Sequence, residues 1–273
     1  MSAQFDCQGK VAVVTGGARS MGLLTAQALV QKGAKVVIGD VLQCGADAAA
    51  LINQDANANV AVFQHCDVTD SDSLKSLIAL AVSQFGRFDI LVNNAGVLDK
   101  PWEQDPDGAY ARSCIDINVR GVIDGTMHAL HYWNQEESRK GVVVSMASMA
   151  GYAPLHCMPA YSASKAAVVM YTKALASLAP RVRVNAVAPS WVDTVFVDAD
   201  HIGREHYALK FSGMLKPEAV VEQVMRVIED ESLAGDVVIM RNDVEPTLCS
   251  ALKSTQVEDI IQAGIRERAA KQE

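Results

Sequence analysis

Tyr161 and Lys165 stand four residues apart in the run Tyr161-Ser162-Ala163-Ser164-Lys165, inside a stretch (159–178) that reads as helix. At that spacing the two side chains share one helix face. A free phenol titrates at about 10, too high for a base at neutral pH. An ammonium beside it favours the phenolate and lowers that value. The pair is suited to take a proton from a hydroxyl, or to return one to a developing alkoxide. Ser148 precedes Tyr161 by thirteen residues and is suited to hydrogen-bond the reacting oxygen and steady its charge. Taken alone, these residues also fit a solvated face at the start of an amphipathic helix.

A second group has a different chemistry. Thr15-Gly16-Gly17-Ala18-Arg19-Ser20-Met21-Gly22 follows a strand-like run and opens a helix-like one. Glycines let the backbone approach a pyrophosphate, and a helix N-terminus offers free N–H groups at the positive end of its dipole. An ordinary tight turn would look the same. Asp40 ends the next strand-like run, eighteen residues after Gly22. From there a carboxylate can bind the ribose diol of an adenosine, or simply close a turn. A carboxylate at that place repels the 2′-phosphate of NADP, and Val41-Leu42-Gln43 supplies no cation to hold one. Arg19 lies where a phosphate could be reached. The balance favours NAD, with NADP as the alternative.

Two layers of helices around a sheet must position these groups. Short β-branched runs at Val11–Thr15, Lys35–Asp40, Val60–His65, Ile90–Val92, Gly141–Met146, Val182–Val187 and Asp236–Met240 alternate with amphipathic runs. The latter fall near 21–32, 44–55, 70–85, 107–135, 159–178 and 217–230. That rhythm predicts an α/β fold: one doubly wound parallel sheet of about seven strands with helices on both faces. The whole chain, 1–273, reads as one dinucleotide-binding and catalytic domain. The stretch Ser190–Lys216 breaks the rhythm and is rich in aromatic residues. It reads as a substrate lid or as a surface excursion. Residues 242–273 read as a polar tail with a helix-like stretch at Val257–Ala270, which docks on a partner subunit or frays.

Composition narrows the function classes. The 273 residues carry 32 acidic and 24 basic side chains, a net charge of −8. Nucleic acid and anionic membrane surfaces call for a basic face, so neither is an expected partner. The six cysteines, at 7, 44, 66, 114, 157 and 249, form no Cys-x-x-Cys pair, and no metal site is expected. No apolar run suggests a signal peptide or a membrane span. The expectation is a soluble cytoplasmic protein with free thiols.

With Asp67-Val68, Asn93-Asn94-Ala95-Gly96, Asn118, and Pro189 with Thr194 added to the turn and to Ser148, Tyr161 and Lys165, the chain resembles the short-chain dehydrogenase/reductase family over about residues 8–240. The resemblance implies a Rossmann-type fold and hydride transfer between a nicotinamide and a secondary alcohol or ketone. In that reading Tyr161 is the acid/base, Lys165 its tuner and Ser148 the partner of the substrate oxygen. A bound nicotinamide cation would lower the phenol further. Asn118 would brace a helix and hold a water in a proton relay to Lys165. Gly16, Arg19, Ser20, Met21 and Gly22 would approach the pyrophosphate. Asp67 would face the adenine amino group, or cap a helix, with Val68 beside the ring. Asn94, Ala95 and Gly96 would lie near the cofactor ribose, where Asn93 and Gly96 serve the sheet or the cofactor. Pro189, Val192 and Thr194 would contact the nicotinamide carboxamide. A homodimer or homotetramer is implied.

The chain also departs from that pattern. Ser20 stands where the middle glycine of the turn is usual, and Ser190 replaces the glycine after Pro189. The usual closing Asp-Gly-Gly is missing, and Ile228–Gly235 leads into the last strand instead. This ending, with Gly125-Thr126, looks most like the 15-hydroxyprostaglandin dehydrogenase branch. For the substrate, Met149, Tyr152, Leu155 and His156 follow Ser148, and Val97, Leu98 and Trp102 follow the fourth strand. Trp191, Phe196 and Phe211 come from the irregular stretch. Of these, Met149, His156, Trp191 and Phe196 are the leading candidates for substrate contact. A crevice with such walls suits a hydrophobic small molecule.

Overall fold

The computed structural model describes residues 4–195, 213–242 and 244–251. Eight strands form one sheet: β1 (Val11–Thr15), β2 (Lys35–Asp40), β3 (Ala61–His65), β4 (Ile90–Asn93), β5 (Gly141–Met146), β6 (Val182–Pro189), β7 (Val237–Arg241) and β8 (Val244–Cys249). Their order across the sheet is β3-β2-β1-β4-β5-β6-β7-β8. The first seven run parallel, and β8 pairs antiparallel with β7. Chain order reverses between β1 and β4, which opens a crevice beyond the carboxyl ends of those strands.

Strands buried on both faces read as unbroken apolar runs, and β1, β4, β5 and β6 are buried at every position. Alternate residues feed two separate cores. Ala12 and Val14 pack with Ala26 and Leu29 of α1 (Ser20–Gln31) and Ile52 of α2 (Gly45–Ala56). Val11 and Val13 pack with Leu74 and Leu77 of α3 (Ser71–Phe85) on the other face. The long helical region matches 107–135 but is compound: α4 (Ala109–Ile115), a π-helical turn at Asp116–Arg120, then α5 (Gly121–Asn134). Trp133 closes its end, fully buried, stacked on Phe88 and donating to the Phe88 carbonyl at 2.8 Å. It is a core residue. Helices α6 (Pro159–Ala174) and α7 (Pro217–Glu229) complete the layers.

The stretch read as a polar tail begins instead with a strand. β8 adds to the free edge of β7, where Pro246 is tolerated because an edge strand leaves one side unpaired. The helix-like stretch Val257–Ala270 lies outside the described residues, as does most of the irregular segment. Its two described flanks are tied together by a bridge between Val192 and Leu215. There Leu215 N–H donates to the Trp191 carbonyl and Asp193 N–H to the Leu215 carbonyl. No described helix is long and apolar enough to cross a membrane.

Candidate active site

A cleft of about 490 Å³ runs along the carboxyl ends of β1, β2, β4, β5 and β6. At one end is the turn between β1 and α1. Gly16, Arg19, Ser20, Met21 and Gly22 line it. The α1 N-terminus has no side-chain cap and no acidic residue in its first turn, so its N–H groups remain available to an anion. A Cβ on Gly22 would lie 2.1 Å from the Gly16 carbonyl oxygen, so no other residue fits without moving the turn. Ser20 adopts φ +52°, a left-handed conformation that L side chains resist. Its glycine-like role is therefore kept at a conformational cost.

The β4 loop locks this turn. Thr15 Oγ1 accepts the N–H groups of Asn94 (3.1 Å) and Ala95 (3.2 Å). The Asn94 amide donates back to the Thr15 and Gly16 carbonyls at 3.1 and 2.8 Å. Asn94, Ala95 and Gly96 all line the cleft. Asn93 points away and donates to Thr126 and Ser145 inside the sheet layer, a structural role. Asp40 is 8% exposed, with Oδ2 accepting from Ala18 N–H at 2.9 Å and Oδ1 from Leu42 N–H at 3.0 Å. These bonds fix its carboxylate against the cleft, whereas Arg19 is exposed. Asp67 and Val68 also line the cleft. Asp70, and not Asp67, caps α3; the Asp67 carboxylate accepts from Thr69.

At the other end β5 delivers Ser148, and α6 delivers Tyr161 and Lys165 one turn apart. Ser148 accepts Ala150 N–H at 3.1 Å and lines the cleft together with Tyr161. Tyr161 is 8% exposed and Lys165 4%. The Lys165 ammonium donates to the Met146 carbonyl at 2.6 Å and lies 5.6 Å from the centre of the Tyr161 ring. Burial pushes the phenol up to about 12; the Ser148 hydroxyl opposes this, and the charges of Cys114 and Asp99 add to it. Burial also brings Lys165 down to about 8, against the charge of Cys114. Desolvation penalises the charged form of both partners and is the largest influence on each.

Asn118 sits in the π turn, fully buried behind this pair. Such turns recur at functional sites because the extra residue redirects a side chain. Its Nδ2 donates to the Val97 carbonyl (2.9 Å), Ser164 (3.0 Å) and Cys114 (3.1 Å), while Oδ1 accepts Val97 N–H at 2.9 Å. With these bonds the amide braces the β4 loop against α4 and α6. A Cβ on Gly96 would stand 3.2 Å from Asn118 Oδ1 and 3.7 Å from Lys165 Nζ, so Gly96 leaves room for both.

The substrate-side expectations divide. Met149 and Trp191 line the cleft, with Pro189, Val192 and Thr194 beside them. His156 does not; it is exposed on the turn before α6, whose inward residues are Leu155 and Met158. Its polar ring stays in water while the apolar neighbours pack. Trp102 is 75% exposed and also outside the cleft. Phe196 and Phe211 lie outside the described residues. The sequence reading missed Met158, which is 1% exposed and packs with Tyr161, Ala150 and Cys114. Its apolar side chain at a helix N-cap position was the available signal.

A human 15-hydroxyprostaglandin dehydrogenase [NAD(+)] is 34% identical over 245 residues, covering 83% of this chain and 89% of that protein. Cis-4-hydroxycyclohexanecarboxylate dehydrogenase of Sinomonas cyclohexanicum is 37% identical over 227 residues, covering 81% and 90%. Among solved structures, a 3-ketoacyl-(acyl-carrier-protein) reductase from Brucella melitensis complexed with NADH superposes with a TM-score of 0.76 at 27% identity, covering 86% of this chain and 98% of that one. Residues 10–203 match the short chain dehydrogenase family, and the chain belongs to it.

Proposed function

We propose that this protein is an NAD(H)-dependent oxidoreductase acting on a hydrophobic secondary alcohol or ketone, with Tyr161 as general acid/base. The observation that carries this reading is one continuous cleft. An uncapped helix start and a fixed Asp40 carboxylate lie at one end, and the Ser148 and Tyr161 hydroxyls at the other.

The residues present fit NAD. The first turn of α1 offers N–H groups to a pyrophosphate. The Asp40 carboxylate can accept from ribose hydroxyls and repels a 2′-phosphate. Asp67 and Val68 would flank the adenine, Asn94, Ala95 and Gly96 the inner ribose, and Pro189, Val192 and Thr194 the carboxamide. When bound, NAD supplies a hydride-accepting carbon and a positive charge that favours the phenolate. Ser148 would orient the substrate oxygen, and Tyr161 would take its proton during oxidation or return one during reduction. Lys165 stands close enough to respond to the charge on that phenol, and Asn118 braces the helices that carry it.

Around Tyr161 the wall is apolar: Val97, Leu98, Ala150, Leu155, Met158 and Trp191. Such a wall favours a hydrophobic substrate, in keeping with the lipid alcohol named for the human relative. The pinned flanks of 190–216 support its reading as a lid. Met127 of α5 and Met170 of α6 stand exposed on helices covering one sheet face, an apolar surface that suits a homo-oligomer.

The test is NADH formation by the purified protein with NAD+ and either a 15-hydroxyprostaglandin or cis-4-hydroxycyclohexanecarboxylate, with NADP+ in parallel. Turnover faster with NAD+ is expected. Turnover with NADP+ alone would favour the NADPH-dependent carbonyl reductase reading, for which exposed Arg19 is the supporting residue.

A further inference from the structure

Helix α6 carries both Tyr161 and Lys165, yet its own N-cap position is Met158, which makes no side-chain capping bond. Pro159 at the first position fixes φ there but leaves the following N–H groups in need of acceptors. The acceptor comes from 61 residues away. Asp99, three residues after Gly96 in the β4 loop, accepts the Ala160 N–H on Oδ2 at 2.7 Å. Asp99 is 2% exposed, and its Oδ1 is buried without a hydrogen-bond partner. A buried carboxylate with an orphan oxygen carries a desolvation cost that a helix cap alone does not explain, since a neutral Asn or Ser would cap as well.

We propose that Asp99 is a positioning residue for Tyr161: it ties the first turn of the catalytic helix to the cofactor-side loop and sets a buried carboxyl beside the turn that carries the phenol. The inference rests on Tyr161 being the acid/base. The groups around the phenol are Ser148 from the loop after β5, Cys114 from α4, Asp99 from the β4 loop and Lys165 from α6. Asp105 and Cys157 are the other titratable groups coupled to Asp99. Burial raises the Asp99 carboxyl above its ordinary value, and the Ala160 and Tyr161 N–H groups draw it back. Once ionised, Asp99 holds the phenol protonated to higher pH, in the same direction as burial and Cys114. The β4 loop that meets the cofactor thereby also sets where the proton-transfer group stands and how firmly it keeps its proton.

The test uses Asp99→Asn, which keeps an oxygen for the Ala160 N–H, and Asp99→Ala, which does not. Phenolate absorbance is titrated in each, with Tyr161→Phe in the same background as the blank. Both variants should lower the Tyr161 midpoint. With the alcohol that turns over in the preceding assay, Asp99→Ala should lose roughly 10–100-fold in kcat, and Asp99→Asn should recover most of that loss. An unmoved midpoint in both variants overturns the electrostatic part. An Asp99→Ala enzyme within twofold of wild-type kcat, or an Asp99→Asn enzyme as impaired as Asp99→Ala, overturns the positioning part. If Tyr161→Phe itself keeps wild-type turnover, it is the acid/base reading that has failed, and the two failures are told apart.

Discussion

Around the turn between β1 and α1, the groups facing the cleft are mostly backbone: peptide N–H groups, glycine surfaces and a loop held by Thr15 and Asn94. Around β5 and α6 they are side chains, with Tyr161 and Lys165 almost fully buried and supported by Ser148 and Asn118. The first region is governed by shape, so a single Cβ can close it. The second is governed by burial and charge, so it responds to pH and to deletion of individual atoms. Binding and proton transfer should therefore fail separately.

The largest effect on the backbone-built half is expected from Gly22→Ala. With only 2.1 Å to the Gly16 oxygen, the turn must shift. NADH affinity should fall by roughly 100-fold, about 2.8 kcal/mol at 1.4 kcal/mol per tenfold. Nicotinamide fluorescence reads this directly, and unchanged affinity would mean that the turn does not cradle the cofactor. Next comes Asp40→Ala, expected to weaken NADH about tenfold or more while NADPH is spared or improved. The ratio of the two affinities is the readout, because general damage to the loop would weaken both alike.

A third experiment sharpens the contrast through pH. Burial lowers Lys165 from 10.5 to about 8, so between those values the unfolded chain holds a proton that the folded chain has released. Stability linked to this lysine therefore rises with pH across that window. Between pH 7.5 and 10 the wild type should gain roughly 1–2 kcal/mol relative to Lys165→Met in urea unfolding. Parallel curves for the two proteins would contradict a desolvated lysine. The smallest effect is expected from Ser20→Gly. Relief of the left-handed serine should stabilise the fold by about 1 kcal/mol, seen as a higher Tm, with catalysis little changed.

The parallel sheet was legible in the sequence because its strands are buried on both faces and so read as unbroken β-branched runs. β8 was not, since Val244, Glu245, Pro246, Thr247 and Leu248 have the composition of an exposed edge, and it pairs only because β7 offers a free side. Motif spacing placed the β1–α1 turn, Asp40, Ser148, Tyr161 and Lys165 along one cleft, since local helix and strand periodicity sets which way they point. Side-chain direction within loops has no such period: His156 turned to solvent and Met158 inward, although both precede the same helix. Asp99 was passed over for a related reason. A buried carboxylate and a solvated one look alike until the helix it caps, 61 residues later, is folded against it. Four-residue spacing gives the proximity of Tyr161 and Lys165 but not the desolvation of the pair, which depends on how the helix packs.

The separation of the two halves is tested most directly by Tyr161→Phe, with NADH fluorescence titration and alcohol turnover measured on the same preparation. The account predicts turnover reduced by about 1,000-fold or more with NADH affinity within about twofold of wild type. Residual turnover within about tenfold of wild type, or NADH binding lost in step with activity, would contradict it.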